Sequence, residues 1–140
     1  VQQRQWLFQK KPAASSDALL EYGLLVQAGN LGVTGRELAF RYGDGANVHI
    51  VLSALAITDY EWHHVSVAYD ADRLELRFGI DGVFETVPFE KPPVANLGQL
   101  KLGAHENAAG SENQWHYGIY DEPRFSRTFL PPERLLDHTP

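Results

Sequence analysis

The side chains best suited to chemistry in this 140-residue chain lie between His105 and Tyr120. His105 to Gln114 reads HENAAGSENQ, the most polar uninterrupted stretch, and Trp115, Tyr117 and Tyr120 follow it directly. Glu106, Asn107, Glu112 and Asn113 offer carboxylate and amide oxygens from one loop, the hard donors that calcium collects. The same amides and acids beside an aromatic ring meet a second requirement. A pyranose stacks its apolar face on an aromatic side chain and hydrogen-bonds its hydroxyls to Asn, Asp, Gln or Glu. Trp115 and Tyr117, two residues apart, share one face of an extended strand. Trp115, Tyr117, Asn107, Asn113 and Glu112 are therefore the candidate ligand-binding set. The competing reading is that the aromatics belong to a core and the loop acids are simply solvated.

Elsewhere the chemistry is thinner. His63 and His64 suggest a metal or acid–base pair, but adjacent residues on a strand face apart and cannot chelate one ion. The bland reading holds for them: His63 is hydrogen-bonded on the face of Val65 and Val67, and His64 points the other way. Trp6 and Trp62 read as core. No Ser-His-Asp arrangement can be argued from the sequence.

The element that organises the chain is Glu61 to Val87. His63, Val65, Val67 and Tyr69 alternate with Trp62, His64, Ser66 and Ala68, the period of a strand with one buried face. Asp70-Ala71-Asp72 turns the chain, because short polar side chains bond their own backbone there. Leu74, Leu76 and Phe78 repeat the alternation, Asp81-Gly82 makes a hairpin turn, and Val83 to Val87 returns, giving a three-stranded antiparallel meander.

In chain order, Gln5 to Gln9 reads as a short strand and Ala13 to Asp17 as a polar loop. Leu19 to Ala28 reads as a strand broken at Gly23, with a helix as the alternative because Ala18-Leu19-Leu20-Glu21 suits one. Gly29 to Gly35 is a turn, Glu37 to Tyr42 and Val48 to Leu52 are strands, and Ala54 to Tyr60 connects them to the meander. The prolines of Pro88 to Gly98 make it an irregular crossover. Two strands, Trp115 to Tyr120 and Glu122 to Ser126, and a helical turn opening at Leu130-Pro131-Pro132-Glu133 complete the chain. Many short strands separated by turn signals indicate an all-β sandwich.

Trp62-His63-His64-Val65, leading through an Asp-rich turn to a strand and an Asp-Gly hairpin, resembles the central motif of laminin G-like, concanavalin A-like lectin domains. Leu100-Lys101-Leu102-Gly103-Ala104 is similar to a later strand of that family. Gly118-Ile119-Tyr120-Asp121-Glu122-Pro123-Arg124-Phe125, with Leu130 to Leu135 after it, is similar to its closing strand and short helix. The three matches run in order from Trp62 to Leu136, while Arg4 to Lys10 and Leu38 to Ser53 fit more loosely. The resemblance implies a concanavalin A-like jelly roll of two antiparallel sheets. It also implies calcium as the one cofactor, with Asp121 in the closing-strand motif and Glu106 as metal ligands. The alternative role for Asp121 is to orient the closing hairpin.

The family's opening strands are not visible upstream of Trp6-Leu7-Phe8. The expectation is that the sheet is completed by self-association or by a second segment, because unpaired strand edges are adhesive. The fold is shared with glucanases, which need two carboxylates facing one another across the bond they cut. Asp121 and Glu122 are adjacent and a strand sends them to opposite faces, and Glu75 has no second acid beside it. Catalysis is not expected.

Composition bounds the rest. Hydrophobic residues make up 44% and charged residues 21%, enough for one packed domain. The formal charge of −6 and the lack of a Lys/Arg cluster beyond Lys10-Lys11 argue against nucleic acid, which demands a basic footprint. No apolar run is long enough for membrane insertion. Cysteine and methionine are absent, and Val1-Gln2-Gln3-Arg4 reads as the start of an excised piece of a longer protein. The sequence thus suggests a non-catalytic module of a secreted or cell-envelope protein that recognises carbohydrate or a protein surface. A structural accessory domain without a ligand, or a glycoside hydrolase fragment, are the alternatives.

Overall fold

The computed structural model describes residues 4–28 and 35–135, and its regular secondary structure is almost entirely antiparallel strand. β1 (Gln5–Lys11), β2 (Tyr22–Val26), β3 (Glu37–Gly43) and β4 (Val48–Ala56) form a meander, and β8 (Gln99–Leu102) returns to pair with β1, giving the order β4-β3-β2-β1-β8. β5 (Val65–Asp70), β6 (Glu75–Ile80) and β7 (Val83–Pro88) make a separate three-stranded sheet. This is the meander read from the sequence. Its turns are built as their residues require: Asp70 Oδ1 accepts the backbone N–H of Asp72 and Arg73. Asp81 and Gly82, at φ 49° and 82°, both occupy the left-handed region of a primed hairpin turn.

The two sheets share one core. Leu7, Leu24, Leu38, Phe40 and Tyr42 from the larger sheet pack with Leu76, Phe78 and Ile80 from β6 and with Phe89 beyond β7. Leu24 and Leu25 alternate between this core and a second, smaller cluster on the opposite face of the larger sheet, where Trp6, Leu20, Leu25 and Ala39 are buried. A shift in register between Trp6 and Phe8 lets Leu7 and Phe8 both contribute to the main core while Trp6 turns to the other face. Glu85 of β7 reaches across to β4, where its carboxylate accepts the Ser53 hydroxyl at 2.5 Å and the Ala54 N–H at 2.8 Å.

Several sequence expectations are corrected. Gly23 does not break β2, because the absence of a side chain is what lets Trp6 lie there: a Cβ at Gly23 would stand 2.3 Å from Trp6 Cζ3. The helix alternative survives only as a 3-10 turn, Asp17–Leu19, ahead of β2. β1 and β4 run further than expected, to Lys11 and Ala56. The polar stretch His105 to Gln114 is a small hairpin, β9 (His105–Glu106) paired with β10 (Glu112–Asn113), its base buried. The expected strands Trp115 to Tyr120 and Glu122 to Ser126 are absent. Gln114 and Glu122 are left-handed, with φ 51° and 46°, which interrupts an extended run, and the stretch between them is irregular. Trp62 is not core but 66% exposed. The Gly29 to Gly35 turn falls largely outside the described residues. The C-terminal turn is present as α1 (Pro132–Leu135).

Candidate functional site

The β9–β10 hairpin is anchored to the outer face of the larger sheet by a buried polar network. Lys11, whose side chain is fully buried, points its ammonium at Asp17 Oδ1 (3.0 Å), the Ser15 carbonyl (3.0 Å) and the Glu106 carbonyl. Asp17 also meets Arg41 Nη2 at 3.0 Å and His105 Nε2 at 3.1 Å. Burial alone would raise the Asp17 pKa. Hydrogen bonds from His105 and Lys11, with the charge of Arg41, outweigh it and hold the carboxyl well below the usual range. The His105 ring stacks on Trp6 at 4.7 Å, and its Nδ1 lies 3.0 Å from Asn113 Oδ1.

From this base the chain presents the predicted aromatics. Trp6 is bound twice by Gln114, its backbone N–H to the Gln114 carbonyl (3.2 Å) and its indole N–H to Gln114 Oε1 (2.7 Å). His116 N–H donates to the Gly103 carbonyl at 2.8 Å, and Tyr117 N–H to Gln5 Oε1 at 3.2 Å. Trp115 thus sits between two tethered neighbours, with its side chain 47% exposed, and Tyr117 is 77% exposed. Tyr120 turns inward: its hydroxyl donates to the Leu7 carbonyl at 2.9 Å, and burial pushes its pKa up to about 12.

The predicted polar partners are mostly engaged within the protein. Asn107 Oδ1 accepts the N–H groups of Ala109 and Ser111, closing the hairpin turn. Asn113 is held by His105, and Glu112 pairs with Lys101 at 3.0 Å. Glu106 is buried, pairs with Lys101 and accepts the Ala14 N–H at 2.6 Å. The Lys101 ammonium, followed by the Ala14 N–H, holds the Glu106 carboxyl below its ordinary value. Asp121 is exposed in the irregular segment. Among the described residues no three His, Cys, Asp or Glu side chains are grouped as a metal site would need.

A second aromatic group was missed by sequence reasoning. Tyr60 and Trp62, 93% and 66% exposed, lie on the connection from β4 to β5. That connection is pinned at several points. His63 sits between two carboxylates, with Nδ1 2.6 Å from Asp81 Oδ2 and Nε2 2.8 Å from Asp59 Oδ1. Ionised carboxylates only accept, so a ring that satisfies both must donate from both nitrogens and is an imidazolium. Its pKa is raised accordingly, first by Asp81 and then by Asp59. Arg36 lies 5.4 Å over the Tyr60 ring and donates to the Thr58 carbonyl at 3.2 Å. The signal available in the sequence was Asp59-Tyr60-Glu61-Trp62, acids alternating with aromatics ahead of the meander.

A third feature is apolar. Leu100 and Leu102 on strand β8, at the end of the sheet order among the described residues, are 41% and 44% exposed, and Ile119 and Phe125 of the irregular segment are exposed as well. Phe125 meets Phe8 edge to face at 5.5 Å. Comparison of the chain with protein families, with curated proteins and with solved structures finds no match in any of the three.

Proposed function

We propose that this chain is a non-catalytic carbohydrate-recognition module of a larger secreted or envelope protein, built on a concanavalin A-like jelly roll. The observation that carries this reading is the presentation of Trp115 and Tyr117: two exposed rings on backbone tied at Gln114, His116 and Tyr117 to β1 and Gly103. A segment whose backbone is already held loses less freedom when a sugar stacks on its rings, which is what makes such a surface useful for binding. The acids nearby, Glu106 and Glu112, neutralise Lys101, an arrangement suited to holding a loop.

The second reading is recognition of a polypeptide strand. It is favoured by β8, which among the described residues pairs in its sheet with β1 alone and shows Leu100 and Leu102 beside its other edge. Electrophoresis through gels containing soluble neutral polysaccharides tests the first reading. Retardation of the chain that is lost in Trp115→Ala, with an unchanged thermal melt, is the expected result. Migration unaffected by every polysaccharide would remove the carbohydrate reading and leave strand capture.

A further inference from the structure

The two aromatic groups stand at the same end of the larger sheet. Gln5 of β1 pairs with Val26 of β2, Val26 with Leu38 of β3, and the neighbouring Glu37 with Ala56 of β4. One transverse row of paired residues therefore ends at both groups. At its β1 end, Gln5 holds the Tyr117 backbone and Trp6 holds Gln114, on either side of Trp115. At its β4 end, the Ile57 N–H donates to the Arg36 carbonyl, and Arg36 covers Tyr60 two residues before Trp62. Three strand spacings of about 4.8 Å separate β4 from β1, so the row spans roughly 14 Å.

We propose that this rim is one extended binding edge with two aromatic stations, Trp115 with Tyr117 and Tyr60 with Trp62, for an internal stretch of a neutral polysaccharide rather than for a single terminal sugar. This deepens the carbohydrate reading above and rests on it. Isolated rings separated along a polar rim suit a hydroxylated chain that offers an apolar face at intervals, each ring taking one sugar. Charge favours a neutral chain: the protein carries −6 overall, and Glu61 stands between Tyr60 and Trp62 in the sequence, while Asp59 and Glu112 are already paired with His63 and Lys101. Sulfated or carboxylated glycans meet repulsion there. Both stations are pinned before any ligand arrives, the far one by Asp59, His63, Asp81 and Arg36. A chain bound at one station is therefore held at high effective concentration near the other, and affinity rises with length once both are reached.

The test uses the full chain, the neutral polysaccharide that most retards it in the gel panel, and size-graded oligosaccharides cut from that polysaccharide, followed by calorimetric titration. Affinity is expected to climb with oligosaccharide length and then level off. Trp62→Ala is expected to abolish the climb and weaken the longest ligand roughly tenfold, leaving the shortest unaffected. Trp62→Phe, which keeps a ring, is expected to restore most of the climb, and heparin is expected not to bind. Trp62→Ala binding like the wild type at every length, while Trp115→Ala fails, would overturn the two-station edge and leave the single carbohydrate site standing. Length-independent affinity in the wild type would overturn it as well. Binding unchanged from the wild type in both Trp115→Ala and Trp62→Ala, or no retardation by any polysaccharide, would overturn both readings together.

Discussion

The buried network under the β9–β10 hairpin makes an asymmetric prediction. Asp17→Asn keeps the size of the side chain but removes the one carboxylate that faces Lys11, Arg41 and His105 together. The Lys11 ammonium, on a side chain with no exposure, is then left with only carbonyl oxygens. Leaving a buried charge without its counter-charge costs about 3–5 kcal/mol. With an unfolding entropy of roughly 2 cal/mol/K per residue over 140 residues, this is a fall in melting temperature of about 11–18 °C. Lys11→Met removes the charge and keeps most of the stem, while Asp17 retains Arg41 and His105, so the cost is at most about 2 kcal/mol.

Paired thermal melts of the two variants measure the difference directly. The pH dependence adds a second check. The Asp17 carboxyl titrates below its unfolded value, so its contribution is fully present above about pH 4 and is lost as the pH falls further toward its folded value. The gap between wild type and Asp17→Asn should therefore narrow in acid. An Asp17→Asn shift no larger than that of Lys11→Met, or a gap that is constant from neutral pH into acid, would refute the electrostatic account of the network.

Two further outcomes follow from geometry. The His63 clamp between Asp59 and Asp81 is fully formed below the ordinary histidine value of about 6.5 and is lost as the pH rises through the raised value of the folded protein. Hydrogen exchange in the 58–64 loop, corrected for the intrinsic rate, should speed up on the alkaline side in the wild type and show no such step in His63→Gln. Equal protection across that range would count against the clamp. Gly23→Ala places a methyl group into the Trp6 ring, so it should destabilise by about 1–3 kcal/mol, and a denaturant melt equal to the wild type would show that Trp6 moves aside freely.

The parts of the fold legible in the sequence are those set by local chemistry. Alternation over Val65 to Val87, with Asp70 and the Asp81-Gly82 pair at the turns, specified a meander because each signal lies within a few residues of what it controls. The hairpin at His105 was read as a solvated loop because its burial depends on Lys11, Asp17 and Trp6, some 90 residues away, and no periodicity announces such partners. The strands expected after Gln114 failed for the converse reason. Alternating aromatics satisfied the pattern, but the left-handed residues at Gln114 and Glu122 and the single ties to Gly103 and Gln5 set an irregular path. At the candidate site, the sequence left Trp115 and Tyr117 open between a core and an exposed platform, and the commitment of Glu106, Asn107 and Glu112 to internal bonds was not legible in it. Trp62 was assigned to a core because tryptophan is usually buried, and nothing local in the sequence reveals that its neighbour His63 is spent on two carboxylates instead.

The pairing of β1 with distant partners also fixes an order of events during synthesis. Trp6 meets Gln114 across 108 positions, and Lys11 meets Glu106 across 95. The meander of β1 to β4 and that of β5 to β7 are assembled from neighbours in the chain and can form as they leave the ribosome. The outer face of β1, by contrast, is completed only once the segment from Gln99 to Gln114 has been made, because His105 and Gln114 cover Trp6 and the Glu106 carbonyl meets Lys11. Closure of such long loops is slow, so the docking of β8 and the β9–β10 hairpin is the late step of folding. A ribosome stalled before Gln99 would hold a nascent chain in which the outer face of β1 is still open to chaperones.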